Sequence, residues 1–369
     1  MMDITIQREA LLKPLQAINS IVEKKQTLPI LANVLLTVKD GKLMLTGTDL
    51  EIELIGYVSI ESLSAPGATT VSARKLFDIC RMLPEGTFLR LSLENNSLTV
   101  RTQDSYFILN TLPIQDFPNL ENSHFPSTLT LPQRLLKKLL TQTYFAMGQQ
   151  DVRHYLNGVF IDIDKGTIKC VAADGHRLAL TSVQDENIGD IEVQLILPRK
   201  SVLELMRLLS DEDKEDIMMC ISEGRLRIAT SEYVFTTKLI NAQYPDYNRL
   251  IPRGTLIAMG DREVLKHALT RVSILSNEKY RGVRFQLESN KLKITANNTD
   301  QEQAEESVAF GYTGDKMEIG FNVTYLLDAI SSITAKKIRC AFTDPNSGVL
   351  IESAEEDDRS LCVVMPMRL

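Results

Sequence analysis

An internal repeat constrains the fold of this 369-residue chain more than any other feature of its sequence. Three stretches align at a period of about 124 residues, beginning "LLKPLQ", "LLKKLL" and "VLKHAL". Each starts with apolar residues at helical spacing, passes through a polar loop, and gives two alternating strand-like runs around a short turn, "KDGK", "DKGT" or "ESNK". The second halves also match, with "VSARKLFDICRMLPEG" resembling "LPRKSVLELMRLLSDED". Each third therefore predicts helix, strands, helix, strands, which gives six helices and three similar α+β domains.

The length of the chain supports this division. A chain this long exceeds one compact core and suits two or three domains of roughly 100–150 residues each. Pro126 and the Pro-containing segment at 252–254 punctuate the repeats. The predicted domains are 1–127, 128–254 and 255–369. The six helices are predicted at about 8–23, 72–83, 131–145, 198–209, 261–275 and 322–334.

Charge is distributed unevenly over this pattern. The whole chain carries a net charge of -7, yet the six predicted helices sum to roughly +7 and the remainder to roughly -14. Arg74 and Arg81 lie seven residues apart, as do Lys200 and Arg207, so each pair shares one helix face. A single such residue is more often solvated helix surface, but the same bias over the set of helices favours a function. Basic helices can follow a phosphate backbone without reading base sequence.

Other sequence features limit the classes of protein. No apolar run approaches the roughly 18 residues of a membrane helix, and "MMDITIQREA" lacks a basic segment followed by an apolar stretch. We therefore expect a cytoplasmic protein. The cysteines are scattered without a C-x-x-C pair, which predicts buried free thiols rather than disulfides or a zinc site. They are Cys80, Cys170, Cys220, Cys340 and Cys362.

The stretch "VAADGHRLAL" places Asp174, His176 and Arg177 close together and raises the possibility of an active site. The repeat aligns Asp174 with Asp49 of the first third and with "ANN" of the last, which predicts a strand-end or turn residue. No H-E-x-x-H, G-x-S-x-G, P-loop or G-x-G-x-x-G motif occurs. We therefore predict no catalytic residues, no metal and no cofactor.

A longer set of stretches, spread over the whole chain, is specific enough to indicate a protein family. They are "TLPILANVLL", "LTGTDLE", "PGATTVSARKLFDICRMLPEG", "TLPIQDFPNL", "QDVRHYLNG", "ADGHRLA", "LPRKSVLELMRLL", "YPDYNRLIP", "ILSNEKYRGVR", "KLKITANN", "EIGFNVTYLLD" and the final "VVMPMRL". Over essentially its whole length, the sequence closely resembles the bacterial sliding clamps, the beta subunits of DNA polymerase III.

The resemblance implies an α+β clamp fold, in which each domain packs two helices on antiparallel sheet. It implies a head-to-tail homodimer whose six domains close a ring around duplex DNA, with the helices inside. Such clamps are non-catalytic processivity factors of DNA replication, opened by an ATP-dependent clamp loader. The expected partners are that loader, the DNA polymerase III alpha subunit and other proteins with a clamp-binding motif, met in the cytoplasm at replication sites on the nucleoid.

The resemblance also assigns a hydrophobic groove that takes a short linear motif from these partners. Methionine and leucine suit such a groove because they adapt to different peptides, and arginine at its rim can fix peptide carbonyls or carboxylates. The implied groove residues are Leu156, Ala173, Gly175, His176, Arg177, Leu178, Pro245, Leu250, Val363, Val364, Met365, Pro366, Met367 and Arg368, with Arg153, Tyr155, Asn322 and Tyr325 nearby.

For DNA, the resemblance implies two loops and the inner helices. His154 departs from the tyrosine expected at its place. The implied DNA-binding residues are Lys13, Lys25, Arg74, Arg81, Gln150, Arg153, His154, Tyr155, Lys200, Arg207 and Arg249.

The implied dimer interface joins the end of the first domain to the start of the third. Its apolar centre is Phe107, Leu109, Ile274 and Leu275, and its acidic side is Asp300, Glu302, Glu305 and Glu306, facing basic residues such as Lys75. Ser97 and Tyr106 stand where arginine is expected, and Gln303 where glutamate is expected. Rim ion pairs contribute under about 1 kcal/mol each, so we expect the dimer to depend on apolar packing.

Two other classes of protein stay open on the residues alone. A hydrolase or nuclease would use Asp174 and His176. A scaffold of three repeated domains would turn its basic helices to ordinary solvent. Neither explains why the helices alone are basic and the C-terminal stretch is apolar.

Overall fold

The computed structural model describes residues 2–22, 28–118, 124–185, 188–212, 215–355 and 358–368. The chain forms two compact units. The first unit combines Met1–Arg134 with Glu204–Leu239, and the second combines Leu135–Leu203 with Ile240–Leu369. The middle third of the sequence therefore contributes to both units. The boundaries at 127/128 and 254/255 stay a prediction.

The described residues form six α-helices and 26 strands, in the repeating order that the sequence predicts. The helices are α1 (Arg8–Ile21), α2 (Ala73–Met82), α3 (Gln133–Thr141), α4 (Arg199–Leu208), α5 (Arg262–Ser273) and α6 (Val323–Ser332). The strands are β1 (Asp3–Gln7), β2 (Asn33–Lys39), β3 (Lys42–Thr48), β4 (Ile52–Ser59), β5 (Ser62–Ala65), β6 (Gly67–Ser72), β7 (Phe88–Glu94), β8 (Ser97–Arg101), β9 (Tyr106–Leu112), β10 (Ser127–Pro132), β11 (Gly158–Asp164), β12 (Thr167–Ala173), β13 (Arg177–Gln184), β14 (Glu192–Pro198), β15 (Asp216–Ile221), β16 (Arg225–Ala229), β17 (Tyr233–Lys238), β18 (Leu256–Asp261), β19 (Gly282–Glu288), β20 (Lys291–Asn297), β21 (Gln303–Ala309), β22 (Gly311–Tyr312), β23 (Met317–Asn322), β24 (Lys337–Phe342), β25 (Val349–Ser353) and β26 (Leu361–Val364).

Every predicted helix is present, and α3 is shorter than predicted. The prediction extends to about residue 145, whereas α3 ends at Thr141 and a 3-10 turn follows at Tyr144–Ala146. The Thr143 hydroxyl donates back to the carbonyl of Leu139 at 3.0 Å. Such back-bonding competes with the helical ladder, and the chain tightens into the 3-10 turn.

The strands of the first unit form a 13-stranded antiparallel sheet in the described residues. Its order is β10-β15-β16-β17-β4-β3-β2-β6-β9-β8-β7-β1-β5. β17 pairs with β4, with Tyr233 opposite Gly56, so strands of the middle third continue the sheet of the first third. α1 can pack closely on β3 and β4 because Gly47 and Gly56 have no side chains. A Cβ at Gly47 would overlap Ile18, and one at Gly56 would lie 2.8 Å from Pro14 Cβ.

The described strands of the second unit form one sheet of nine strands and one of four. The nine-stranded order is β14-β11-β12-β13-β26-β25-β24-β18-β22, and the four-stranded order is β21-β20-β19-β23. β13 pairs with β26, with Leu178 opposite Val363. The last strand of the chain therefore lies beside the strand that follows "ADGH", which brings two distant parts of the sequence together.

The five cysteines are free and buried, as predicted. Burial raises the pKa of Cys80, Cys170, Cys340 and Cys362 to about 12 because the interior disfavours the thiolate. These thiols are therefore inert side chains of the core. None of the helices in the described residues combines the length and the apolar character that crossing a membrane would need.

Candidate functional site

The turn between β12 and β13 is built around the carboxylate of Asp174. Its Oδ1 atom accepts the backbone N–H of His176 at 2.9 Å and that of Arg177 at 3.0 Å. Gly175 occupies the turn with φ of +89°, a conformation that L side chains rarely adopt. Asp174 is therefore a turn residue, as predicted, and its Oδ1 is occupied by the backbone.

The same turn recurs in the first third, and a turn one residue longer occupies the corresponding place in the last third. Asp49 Oδ1 accepts the N–H of Glu51 at 2.9 Å and that of Ile52 at 2.6 Å. In the last third Asn298 Oδ1 accepts two backbone N–H groups, both at 3.0 Å. Each third thus uses a short Asp or Asn side chain to hold the turn between two strands, and this structural role accounts for Asp174 without catalysis.

Arg177 connects this turn to α6. Its Nε lies 3.0 Å from Asp174 Oδ2, and its Nη1 lies 2.5 Å from Asp328 Oδ2. The guanidinium lies over the ring of Tyr325 at 4.4 Å and near that of Phe145 at 5.5 Å. The side chain is mostly buried. Arg177 therefore links the β12–β13 turn to α6 and is not a free surface cation.

Apolar residues of β12, β13 and β26 form the floor beside this turn. Leu156, Ala173, Leu178 and Val363 are buried in one hydrophobic cluster. Leu156 enters it from a 3-10 turn at His154–Leu156. Residues far apart in sequence thus share one apolar surface, because β13 pairs with β26.

The same unit also has exposed apolar side chains. Leu250 is 57% exposed and Met365 is 43% exposed. The backbone N–H of Met365 donates to the His176 carbonyl at 2.8 Å, and that of Met367 donates to Gly320 at 2.9 Å. The C-terminal segment is therefore held in place by its backbone while the Met365 side chain stays accessible.

The structure places every implied groove residue in the second unit. Asn322 caps α6, because its Oδ1 accepts the N–H of Thr324 at 2.9 Å and that of Tyr325 at 3.3 Å. The remaining members differ in exposure: Val364 is buried, Tyr155, Pro366 and Met367 are half-buried, and Arg153, Pro245 and Arg368 are exposed.

Sequence reasoning missed Asp328 and Phe145, which hold Arg177. Asp328 lies three residues after Tyr325 on α6, so the two share one helix face. This spacing could have indicated that Asp328 lies near the implied groove residue Tyr325. Phe145 lies just after α3 in the 3-10 turn at Tyr144–Ala146, and nothing in its sequence context marks the contact.

Acidic side chains accompany the implied DNA-binding cations. On α2, Asp78 lies 3.7 Å from Arg74 and 3.1 Å from Arg81. On α1, Lys13 Nζ lies 2.5 Å from Glu232 Oε2. These pairs are exposed to water, where an ion pair contributes little and can exchange for another anion.

Three more of these cations have acidic partners nearby in sequence. Arg153 binds both carboxylate oxygens of Asp151, and this hydrogen bonding lowers the pKa of Asp151 to about 2. Arg207 lies 2.8 Å from Glu204, and Arg249 lies 3.0 Å from Asp246. Of the other implied residues, Gln150 and His154 are exposed and Tyr155 and Lys200 are half-buried. Lys25 lies outside the described residues.

Asp78 offers a direct test of this charge pairing. Asp78→Asn is expected to free Arg74 and Arg81 and to strengthen binding to a linear duplex. Because each added phosphate contact steepens the slope of log affinity against log salt by about 0.9, we expect a slope steeper by about 1. Fluorescence anisotropy of a labelled duplex over a salt series measures it.

Asp40→Asn is the matched control for that variant. It makes the same charge change in the β2–β3 turn, at φ of +50°, which asparagine tolerates. Equal slopes for the two variants would show that net charge, and not the α2 surface, sets the response.

The implied interface residues of the first unit lie on β8, β9 and α2. Leu109 is buried and Phe107 half-buried, whereas Tyr106 and Ile108 are exposed. Along 106–110, β9 pairs in the described residues only with β8, so its other edge is open. Lys75, also implied, is exposed on α2.

The implied interface residues of the second unit follow α5 and lie on and before β21. Ile274 is 75% exposed and Leu275 half-buried. Among the described strands, β21 pairs only with β20 and so has an open edge. Two of the acids have internal partners: Glu305 lies 2.9 Å from Lys293, and Glu306 lies 2.6 Å from Arg271. Asp300 and Glu302 are exposed.

These features define a class of protein: a repeated α+β architecture that offers binding surfaces. The loop that looked like an active site is a turn present in all three repeats. In the part of the chain that the structure describes, no group of three or more His, Cys, Asp or Glu side chains could hold a metal ion.

Comparison with known proteins gives the family. Models of the DNA polymerase III beta subunit match residues 2–121 (N-terminal domain), 130–246 (central domain) and 248–368 (C-terminal domain). The beta sliding clamp of Pseudomonas aeruginosa is 48% identical over 369 residues, and that of Escherichia coli K12 is 45% identical over 371, each covering 100% of both chains. A solved P. aeruginosa sliding clamp bound to griselimycin is 47% identical, with a TM-score of 0.95 over 100% of both chains.

The chain belongs to the DNA polymerase III beta subunit family, the beta sliding clamps. The resemblance noted from the sequence and the predicted three-domain clamp fold are confirmed. The protein is a DNA sliding clamp, a processivity factor of replication, and this family is non-catalytic.

Proposed function

We propose that two copies of this chain close head to tail into a ring around duplex DNA. The observation that carries the proposal is the open edge of β9 in one unit and of β21 in the other. Two different surfaces that complement each other form a heterologous interface, and such an interface repeated twice closes a two-membered ring. Phe107, Leu109, Ile274 and Leu275 supply the apolar contact, together with the exposed Ile108.

The ring holds DNA by topology rather than by affinity. The helices carry the basic residues, and acids beside several of these residues keep the attraction to phosphate weak. A closed ring therefore slides along the duplex but does not dissociate from a circle. The implied DNA-binding residues, Lys25 included, contact phosphates without base specificity.

Partner proteins dock on the second unit. Leu250 and Met365 expose apolar surface, and Ile251 and Val363, one and two residues away from them, pack in the buried cluster that contains Leu156 and Leu178. This arrangement fits a short apolar peptide motif, such as those of the DNA polymerase III alpha subunit and the clamp loader. The ring thus tethers them to DNA, and it works in the cytoplasm at replication sites on the nucleoid.

Retention on nicked circular DNA tests the ring. Protein loaded with clamp loader and ATP is expected to stay bound at moderate salt when free protein is removed by gel filtration. Cutting the circle with a restriction enzyme is expected to release it. Retention on the linear product would show contact binding and overturn the topological mechanism.

A further inference from the structure

Arg177 contacts three parts of the second unit, one of which is the Phe145 ring that follows α3. It binds Asp174 in the β12–β13 turn, and it binds Asp328 and covers Tyr325 on α6. Asp328 and Tyr325 lie three residues apart, so they share one face of α6. Through Arg177, this helix face is fixed against the turn that carries Gly175 and His176.

The same contacts extend to the rim of the groove. The His176 ring lies 6.1 Å from the Tyr325 ring at an interplanar angle of 23°. The His176 carbonyl in turn accepts the N–H of Met365 at 2.8 Å. A shift of Tyr325 or of the turn would therefore move both His176 and the accessible Met365 side chain.

Asp328 is the outermost member of this chain of contacts. Its carboxylate is about one-third exposed, whereas the Arg177 side chain is mostly buried. If the Asp328 carboxylate is removed, Arg177 still binds Asp174. It loses the second carboxylate, which holds the other side of its guanidinium over Tyr325. A partly exposed ion pair contributes little to global stability, so the local orientation is the larger effect.

We propose that Asp328 is a positioning residue for the partner groove, acting through Arg177 to hold Tyr325 and His176 at the rim. This inference rests on the proposed groove function. In this role Asp328 orients groove residues without contacting the bound motif itself.

Asp328→Asn keeps the size of the side chain and removes its charge. We expect binding to be about three- to tenfold weaker, with the melting temperature unchanged within error. The probes are griselimycin, by isothermal titration calorimetry, and the DNA polymerase III alpha subunit, by surface plasmon resonance. The loss should appear as faster dissociation, and Asp328→Glu should restore part of the affinity.

Glu288→Gln is the matched control. Glu288 pairs with Lys316 at 2.8 Å at the end of β19 remote from Asn322, so it makes the same charge change away from the groove. A double-mutant cycle with Tyr325→Ala gives the second readout. If Asp328 acts through Tyr325, Asp328→Asn has little further effect in the Tyr325→Ala background.

The outcomes separate the two proposals. Unchanged affinity of Asp328→Asn, while Leu250→Ala/Met365→Ala loses binding, would overturn the positioning inference and leave the groove standing. Full additivity with Tyr325→Ala would also overturn it. Wild-type affinity in Leu250→Ala/Met365→Ala would show that the probe binds elsewhere, and both proposals would fall.

Discussion

Ile274→Asp is expected to convert the dimer into monomers and to abolish retention on closed circular DNA. Ile274 is 75% exposed at the end of α5, which is unusual for a large aliphatic side chain and typical of an interface. Burying an isoleucine contributes about 1.5–3 kcal/mol, and a two-membered head-to-tail ring contains this contact twice. The dimer dissociation constant should therefore rise at least about a hundredfold, even before the penalty for burying a carboxylate. Analytical ultracentrifugation measures it.

Val264→Asp provides the matched control, since Val264 is also aliphatic and 51% exposed. It lies in the first turn of α5, where a carboxylate is favourable for the helix dipole. This variant should stay dimeric and remain on the circle. A dimeric Ile274→Asp protein, or equal dissociation of both variants, would place the interface elsewhere.

The internal repeat allowed the local structure to be predicted from the sequence. The three hairpin turns, the six helices and the role of Asp174 follow from alternation, helical spacing and alignment between thirds. Asp49 and Asp174 form the same turn because both follow a strand and accept the backbone N–H groups two and three residues on. Local chemistry of this kind depends on neighbours in sequence, which a pattern contains.

Which side chains of β9 point to solvent could not be predicted in the same way. The run "YFIL" is apolar throughout, so alternation does not say which side chains point outward. The resemblance implies Phe107 and Leu109 as interface residues, which stays a prediction; in the single chain Ile108 is exposed, Phe107 half-buried and Leu109 buried. Pairing with β8 sets this facing, with Ile108 opposite Thr99, and strand pairing is a tertiary property.

The charge partners that are distant in sequence were also beyond the sequence pattern. A net positive charge over the predicted helices identifies a basic surface but not its local neutralisation. Glu232 lies far from Lys13 in sequence and reaches it because β17 pairs with β4 in the same sheet. Likewise Asp328 reaches Arg177 across 151 positions. Such contacts need the assembled tertiary structure and cannot be predicted from helical or strand periodicity.

The groove gives the second large effect. Leu250→Ala/Met365→Ala is expected to weaken binding of the alpha subunit and of griselimycin roughly ten- to a hundredfold. The two side chains are 57% and 43% exposed, so a ligand covers about one full apolar side chain, which contributes about 1.5–3 kcal/mol. The Met365 backbone contact to His176 is unaffected by truncation, so the rim keeps its shape.

Met259→Ala/Val264→Ala removes a similar exposed apolar area from the same unit, since Met259 is 42% exposed on β18. In the nine-stranded sheet, β18 lies three strands from β26, about 14 Å at the usual strand spacing. This control should bind both ligands as the wild type does and should load onto DNA normally. If the loader uses the same surface, as proposed, the groove variant should also load less efficiently, while its dimer dissociation constant stays unchanged. Equal loss of binding in the two double variants would mean that exposed apolar area in general, and not the surface formed by β13, β26 and the C-terminal segment, recognises the partners.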